Sequence, residues 1–176
     1  MTGAGSSGPV LVLIGAPGAG KTTVGQAVAR RLGVGFRDTD ADVVAAQGRD
    51  ISDIFLTDGE PFFRELEEAA VASALAEHDG VLALGGGAVL SEATRQRLAG
   101  RPVAYLEVGL AGAAQRVGLN ASRPLLVGNV RGRLKSLLDE RRPLYEDAAR
   151  WRVETDHRTS AEVADLIVTL IEEDPV

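Results

Sequence analysis

The 176-residue chain has no cysteine, which excludes disulfides and thiolate-bound metals. Two histidines, His78 and His157, leave little scope for a zinc site; each is expected near a helix end or in a loop. No apolar run approaches the ~20 residues of a membrane span. Residues 1–9 are small and polar with no basic cluster, so they read as a flexible tail rather than a secretory signal. No membrane partner and a cytoplasmic location are expected. Positive charge is also short: the net charge is −6, and broad nucleic-acid binding needs a basic field that displaces counterions. Lysine is scarcest of all. Of 19 basic residues only Lys21 and Lys135 are lysine, so a lone Arg says little about anion recognition, whereas a lysine's position is informative. What remains is an ordinary globular composition, 45% hydrophobic and 25% charged, large enough for one domain with its own core.

One of the two lysines closes the segment Gly15-Ala16-Pro17-Gly18-Ala19-Gly20-Lys21-Thr22. This is the G-x-x-x-x-G-K-[ST] phosphate-loop pattern, and it follows an apolar run, Val10–Ile14, and precedes helical spacing at Val24, Val28 and Leu32. Glycines let backbone N–H groups turn inward around a polyphosphate. The following helix directs its positive end at the same anion. Lys21 would reach the β- and γ-phosphates, and Thr22 would offer its hydroxyl to Mg²⁺. The nucleotide-binding set expected here includes Gly18, Ala19, Gly20, Lys21, Thr22 and Thr23.

Further strand-like runs fall at a short segment ending near Phe36, at Val81–Leu84, Val103–Val108 and Trp151–Val153. Strands alternating with helices predict an α/β domain with a mostly parallel sheet covered on both faces. Ser52 is expected to cap a turn starting at Asp53, Pro61 to sit in the first turn of a long helix, and Ser160 to cap the last helix. Pro143 should kink or end a helix that begins near Asn129. Gly118–Gly128 is non-periodic, bounded by glycines and broken by Pro124; such a loop suits a lid that keeps water from the γ-phosphate.

Four clusters bear on the acceptor. Asp38-Thr39-Asp40 falls where the second strand ends, and ligands in open α/β sheets sit beyond the carboxyl ends of strands. One carboxylate can support Mg²⁺ and the other can accept a hydroxyl proton; either can equally cap the next helix. Arg64, Glu67 and Glu68 have the spacing of a surface ion pair first of all, though Arg64 can also grip a carboxylate as a bidentate fork. Gly85-Gly86-Gly87 ends an apolar strand, an arrangement that makes sense if a ligand must approach the backbone closely, since a plain turn usually needs only one or two glycines. Arg141 stands just before Pro143, aimed at a site or serving as a helix-end charge.

In this order and spacing the marks are joined by Phe63-Arg64, Arg123-Pro124-Leu125-Leu126 and Arg141-x-Pro-Leu-Tyr, and the set resembles the shikimate kinase family over nearly the whole chain after the tail. The resemblance implies a three-layer P-loop kinase fold: a five-stranded parallel sheet with helices on both faces, in a single kinase domain over 10–176. It also implies a substrate-binding region at about 38–67 and a mobile lid at about 118–129. It implies an ATP-dependent kinase that phosphorylates the 3-hydroxyl of shikimate, working as a monomer with ATP and Mg²⁺ and without nucleic acid or membrane. By the same resemblance Asp38 supports the metal through water, and Asp40 binds the acceptor hydroxyl and serves as its base. Arg64 and Arg141 hold the shikimate carboxylate, Gly86 and Gly87 meet the ring hydroxyls, and Phe55, Phe63 and Glu67 complete the wall. Arg123 contacts the transferring phosphate from the lid, and Arg116 and Arg158 flank adenine. The chain departs from the family at Ala83, where a Ser or Thr is common, and at Thr159-Ser160, where a Pro-containing loop is common. A gluconate-type kinase shares the phosphate loop but does not account for the three glycines together with Arg-x-Pro-Leu-Tyr. A non-catalytic ATP-binding switch would have no use for Asp40 or a lid arginine.

Overall fold

A computed structural model describes residues 7–118 and 130–175, with the backbone alone at Arg116–Gly118 and Val130. Five strands, β1 (Leu11–Ile14), β2 (Phe36–Asp38), β3 (Val81–Ala83), β4 (Val103–Glu107) and β5 (Trp151–Glu154), form one sheet in the order β2-β3-β1-β4-β5. Every pairing is parallel. Parallel neighbours need a crossover between them, and helices supply it. They are α1 (Lys21–Leu32), α2 (Thr39–Gln47), α3 (Ile51–Asp58), α4 (Glu60–Glu77), α5 (Glu92–Leu98), α6 (Leu110–Gly118), α7 (Val130–Ala148) and α8 (Ser160–Glu173). The central strands β1 and β3 are buried at every residue, so both faces of the sheet are covered, while edge strand β5 alternates buried and exposed positions. α1 packs on α8, and α7 on β4, α6 and the 3₁₀ turn Ala88–Leu90.

A second, smaller cluster of apolar side chains, Val43, Ile54 and Phe63 with Phe55 and Leu66 against them, ties α2, α3 and α4 together. Burial of roughly 1.5–3 kcal/mol per large side chain is enough to hold this short-helix region against the main body.

Four local expectations shift. α3 starts at Ile51, with Asp50 rather than Ser52 before it, because the Asp50 carbonyl closes the first turn on the Ile54 N–H while Ile51 and Ile54 enter the small cluster. α8 is capped by Thr159, whose hydroxyl accepts from the Glu162 N–H at 3.1 Å; Thr159-Ser160-Ala161-Glu162 has the capping-box spacing, which favours the threonine over Ser160. β2 extends to Asp38, two residues past Phe36. Pro143 neither ends α7 nor stands at its edge, since the helix continues to Ala148. Interior proline costs about 3 kcal/mol, but Leu134, Leu138, Arg141 and Tyr145 are buried on both sides of it, and this packing offsets the loss.

Candidate active site

β1 runs straight into the phosphate loop. Gly18 and Gly20 hold φ of 83° and 90°, left-handed values that a side chain would strain. Gly20 is also the residue before α1, whose first N–H groups face the loop. Lys21 Nζ donates to the carbonyls of Gly15 at 2.7 Å and Ala16 at 3.0 Å, which fixes the ammonium at the loop's mouth. Thr22 Oγ1 donates to Asp38 Oδ2 at 3.1 Å. The other Asp38 oxygen accepts the Asp40 N–H at 2.8 Å and caps α2. Asp38 is therefore a helix cap, as one of its two readings has it, and also the partner of the phosphate-loop threonine.

The three glycines are the hub of the opposite wall. None of Gly85, Gly86 and Gly87 has a left-handed φ, so proximity, not backbone freedom, demands them. A Cβ on Gly85 would lie 2.6 Å from Asp40 Oδ1 and 2.7 Å from Glu67 Oε2. One on Gly86 would lie 2.8 Å from the Pro17 ring of the phosphate loop, and one on Gly87 would run into the Arg64 guanidinium. The segment thus meets Asp40, Glu67, Arg64 and Pro17 within three residues. Thr39, fully buried, accepts the Gly85 N–H on its hydroxyl at 3.2 Å and ties the segment to the start of α2. Tyr145 donates from its hydroxyl to the Gly86 carbonyl.

Charges are gathered here at low exposure. Glu67 is 3% exposed and Arg141 6%. Arg64 Nη1 donates to Glu67 at 2.8 Å and Nη2 to Glu60 at 3.1 Å, so the ion pair expected from the spacing exists, but its Glu67 end is inside the protein. Glu68 turns instead to Ser91, accepting its hydroxyl at 2.7 Å. Burial pushes the Glu67 carboxyl above the usual range; Arg64 opposes this, Asp40 adds to it, and Arg141 opposes it. Burial works against the charged Arg64, yet Glu67 and Glu60 outweigh it and raise its pKa. Among the described residues Arg141 forms no salt bridge. A buried guanidinium is costly unless an anion meets it, and this one sits where Glu67 feels both it and Arg64. Phe55 and Phe63 close the side of α3 and α4, ring centroids 4.8 Å apart.

On the other side of the phosphate loop a cleft of about 170 Å³ is lined by Ala19, Gly20, Thr23, Thr155, Arg158 and Ser160. Arg158 is exposed there, its Nη1 donating to the Glu154 carbonyl at 3.2 Å. Arg123 and nearly all of the expected lid lie outside the described residues, as does the Arg116 side chain. Asp38, Asp40, Arg64, Glu67, Gly86, Gly87, Arg141, Phe55 and Phe63 are thus brought to one side of the loop, and Thr23 and Arg158 to the other. Thr39 and Tyr145 carry no role expected from the sequence, although both stand within the site motifs; their bonds span 46 and 59 residues, which no local spacing signals. The two histidines lie as expected, His78 at the end of α4 with its ring on the Val81 carbonyl and His157 in the loop before α8.

Chemically, the arrangement offers donors for a polyphosphate, an oxygen pair for a hard cation and a carboxylate beside two guanidinium groups. Known proteins are similar to this chain as a whole. The shikimate kinase family model matches residues 17–172. The shikimate kinase of Thermobifida fusca (strain YX) is 59% identical over 162 residues, covering 92% of this chain and 94% of its own. That of Saccharopolyspora erythraea is 57% identical over 167 residues, covering 94% of this chain and 95% of its own. Among solved structures, shikimate kinase from Acinetobacter baumannii in complex with shikimate superposes with a TM-score of 0.92 at 34% identity, covering 98% of this chain and 97% of that one. The chain belongs to the shikimate kinase family.

Proposed function

We propose that the protein transfers the γ-phosphoryl group of ATP to the 3-hydroxyl of shikimate, giving 3-phosphoshikimate and ADP. The observation that carries this reading is the three-glycine segment: its atoms bring an acid, Asp40, and a carboxylate-binding guanidinium, Arg64, against a wall that also touches the phosphate loop. Arg141, buried beside them, completes a pair of cations for the substrate carboxylate. An acceptor without a carboxylate would leave the buried Arg141, which forms no salt bridge among the described residues, without an anion, which is how a polar site rejects it.

Phosphoryl transfer through a loose transition state asks the protein mainly for positioning and charge stabilisation. Gly18, Ala19, Gly20 and Thr23 surround the phosphates with backbone and side-chain donors, and Lys21 bears on the β- and γ-phosphates. Asp40 aligns the acceptor hydroxyl and takes its proton as the oxygen attacks phosphorus and the bond to the β-phosphate oxygen breaks. Arg64 and Arg141 hold the carboxylate, Gly86 and Gly87 meet the ring hydroxyls, and Phe55, Phe63 and Glu67 form the wall. Arg158 and Arg116 flank the base, and Arg123 comes from a lid over 118–129. Thr22 and Asp38 suit Mg²⁺: they offer a hydroxyl and a carboxylate 3.1 Å apart, no cluster of three acidic, His or Cys side chains exists among the described residues, and Mg²⁺ typically takes few protein oxygens and completes its shell with water and phosphate. When bound it supplies neutralisation of phosphate charge. No helix among the described residues is long and apolar enough to cross a membrane. We read the protein as a cytoplasmic monomer; sedimentation of the purified chain tests the monomeric state, and a dimer mass would contradict it.

Coupled ADP release with shikimate, gluconate and AMP as separate acceptors tests the assignment. Shikimate alone should raise release above the ATP-hydrolysis background. Faster release with gluconate would transfer the assignment to a gluconate-type kinase, and no release above background with any of the three would leave only nucleotide binding.

A further inference from the structure

Tyr145 plays no part in the chemistry above. It lies in α7 four residues after Arg141 and is 1% exposed. Its ring stacks on Tyr105 of β4, centroids 5.0 Å apart, and its hydroxyl donates to the Gly86 carbonyl at 2.5 Å. Burial pushes its pKa up to about 12, while Arg141 opposes this through its charge and a side-chain hydrogen bond to the same hydroxyl, so the hydroxyl remains a proton donor at any working pH.

A buried tyrosine hydroxyl needs some acceptor, and a purely structural role would be met by any carbonyl. The one it takes belongs to the peptide between Gly86 and Gly87. A trans peptide is planar, so its N–H points opposite to its carbonyl. Holding the Gly86 carbonyl toward α7 therefore aims the Gly87 N–H away from α7. Peptides between glycines have the widest choice of orientation. Pro17 and Arg64 crowd the α-carbons of these residues, and the Tyr145 bond settles the plane between them.

We propose that Tyr145 is a positioning residue that orients the Gly86–Gly87 peptide so that the Gly87 N–H meets a ring hydroxyl of the substrate. Arg141 and Tyr145 stand at i and i+4 on one helix, a spacing that puts Cβ atoms about 5–6 Å apart on one face. α7 then sets two anchors at once: a cation for the carboxylate and a peptide for the hydroxyls. Their separation selects acceptors whose carboxylate and hydroxyls are correctly spaced. This rests on the shikimate reading above.

Tyr145→Phe keeps the stacked ring and removes only the hydroxyl. It should raise the KM for shikimate roughly 5–10-fold, the size of one lost hydrogen bond, with kcat and the KM for ATP within about twofold. It should also discriminate less than the parent against a shikimate analogue lacking the contacted hydroxyl, a change that general loosening of the core does not produce. Tyr105→Phe, whose hydroxyl faces Arg142, should leave the shikimate KM unchanged. An unchanged shikimate KM in Tyr145→Phe, or equal rises for both substrates, overturns the proposal. If that variant does not fold, the parent protein decides: shikimate should slow hydrogen exchange of the Gly87 amide at least about tenfold, and no slowing overturns it. A rise in Arg141→Ala without one in Tyr145→Phe removes the positioning claim alone, whereas no rise in either removes the site reading as well.

Discussion

Asp40→Asn is expected to lower kcat on shikimate by roughly 10²–10⁴-fold, the range of a positioned general base, while the chain stays folded and still binds both substrates. Asparagine keeps the volume beside Gly85, where there is no room to spare, and removes the charge and the proton acceptor. Stability should not suffer. Burial, with Asp40 contributing, raises the Glu67 carboxyl above its ordinary value, and a carboxyl raised in the folded state opposes folding wherever it is ionised. Taking away the Asp40 charge lets the Glu67 pKa fall and weakens that opposition at neutral pH. Steady-state kinetics with a thermal melt at pH 7 checks both halves: kcat falls and the melting temperature holds or rises. A drop in kcat accompanied by early melting would mean that Asp40 is structural.

Lys21→Ala should cost roughly 10²–10³-fold in kcat/KM for ATP, as loss of one preorganised donor to a transferring group does. The ammonium touches the Gly15 and Ala16 carbonyls, so it also braces the loop it serves, and the loss should appear in ADP binding as well as in turnover. Lys21→Arg should not rescue, because a planar guanidinium cannot reproduce a compact ammonium held between two carbonyls. Titration of ADP alongside turnover reads this out. Wild-type turnover in either variant would exclude Lys21 from the chemistry.

The phosphate loop was legible because its chemistry is local: a strand, glycines at set offsets and a lysine before a helix. The Asp38–Asp40 segment was legible for the same reason, since it marks the end of β2. Pro143 does not end α7 because propensity is a local rule, while the burial of Leu138, Arg141 and Tyr145 that holds the helix together is tertiary. Arg64 and Glu67 read as a surface pair at i, i+3, but Glu67 lies on the buried stripe of α4 with Phe63 and Val71, and Gly85 and Gly87 leave room for the two side chains. Thr39 and Tyr145 stayed silent because a hydrogen bond to a distant backbone leaves no periodic trace. The three adjacent glycines read as room for a ligand, whereas the atoms the structure packs against them are the protein's own Asp40, Glu67, Pro17 and Arg64.

Arg64 already shares its guanidinium between Glu60 and Glu67, whereas Arg141 is buried without a salt bridge among the described residues. The measurement that bears most directly on the convergence of cations, acid and phosphate loop is therefore the shikimate KM of Arg141→Ala at saturating ATP, with Arg64→Ala beside it. Loss of a charged hydrogen bond of about 2 kcal/mol corresponds to roughly 30-fold. Arg141→Ala should raise the shikimate KM by that much or more and Arg64→Ala by less, with a KM for ATP within about twofold in both. Shikimate KM values equal to the parent's in both variants would contradict that convergence.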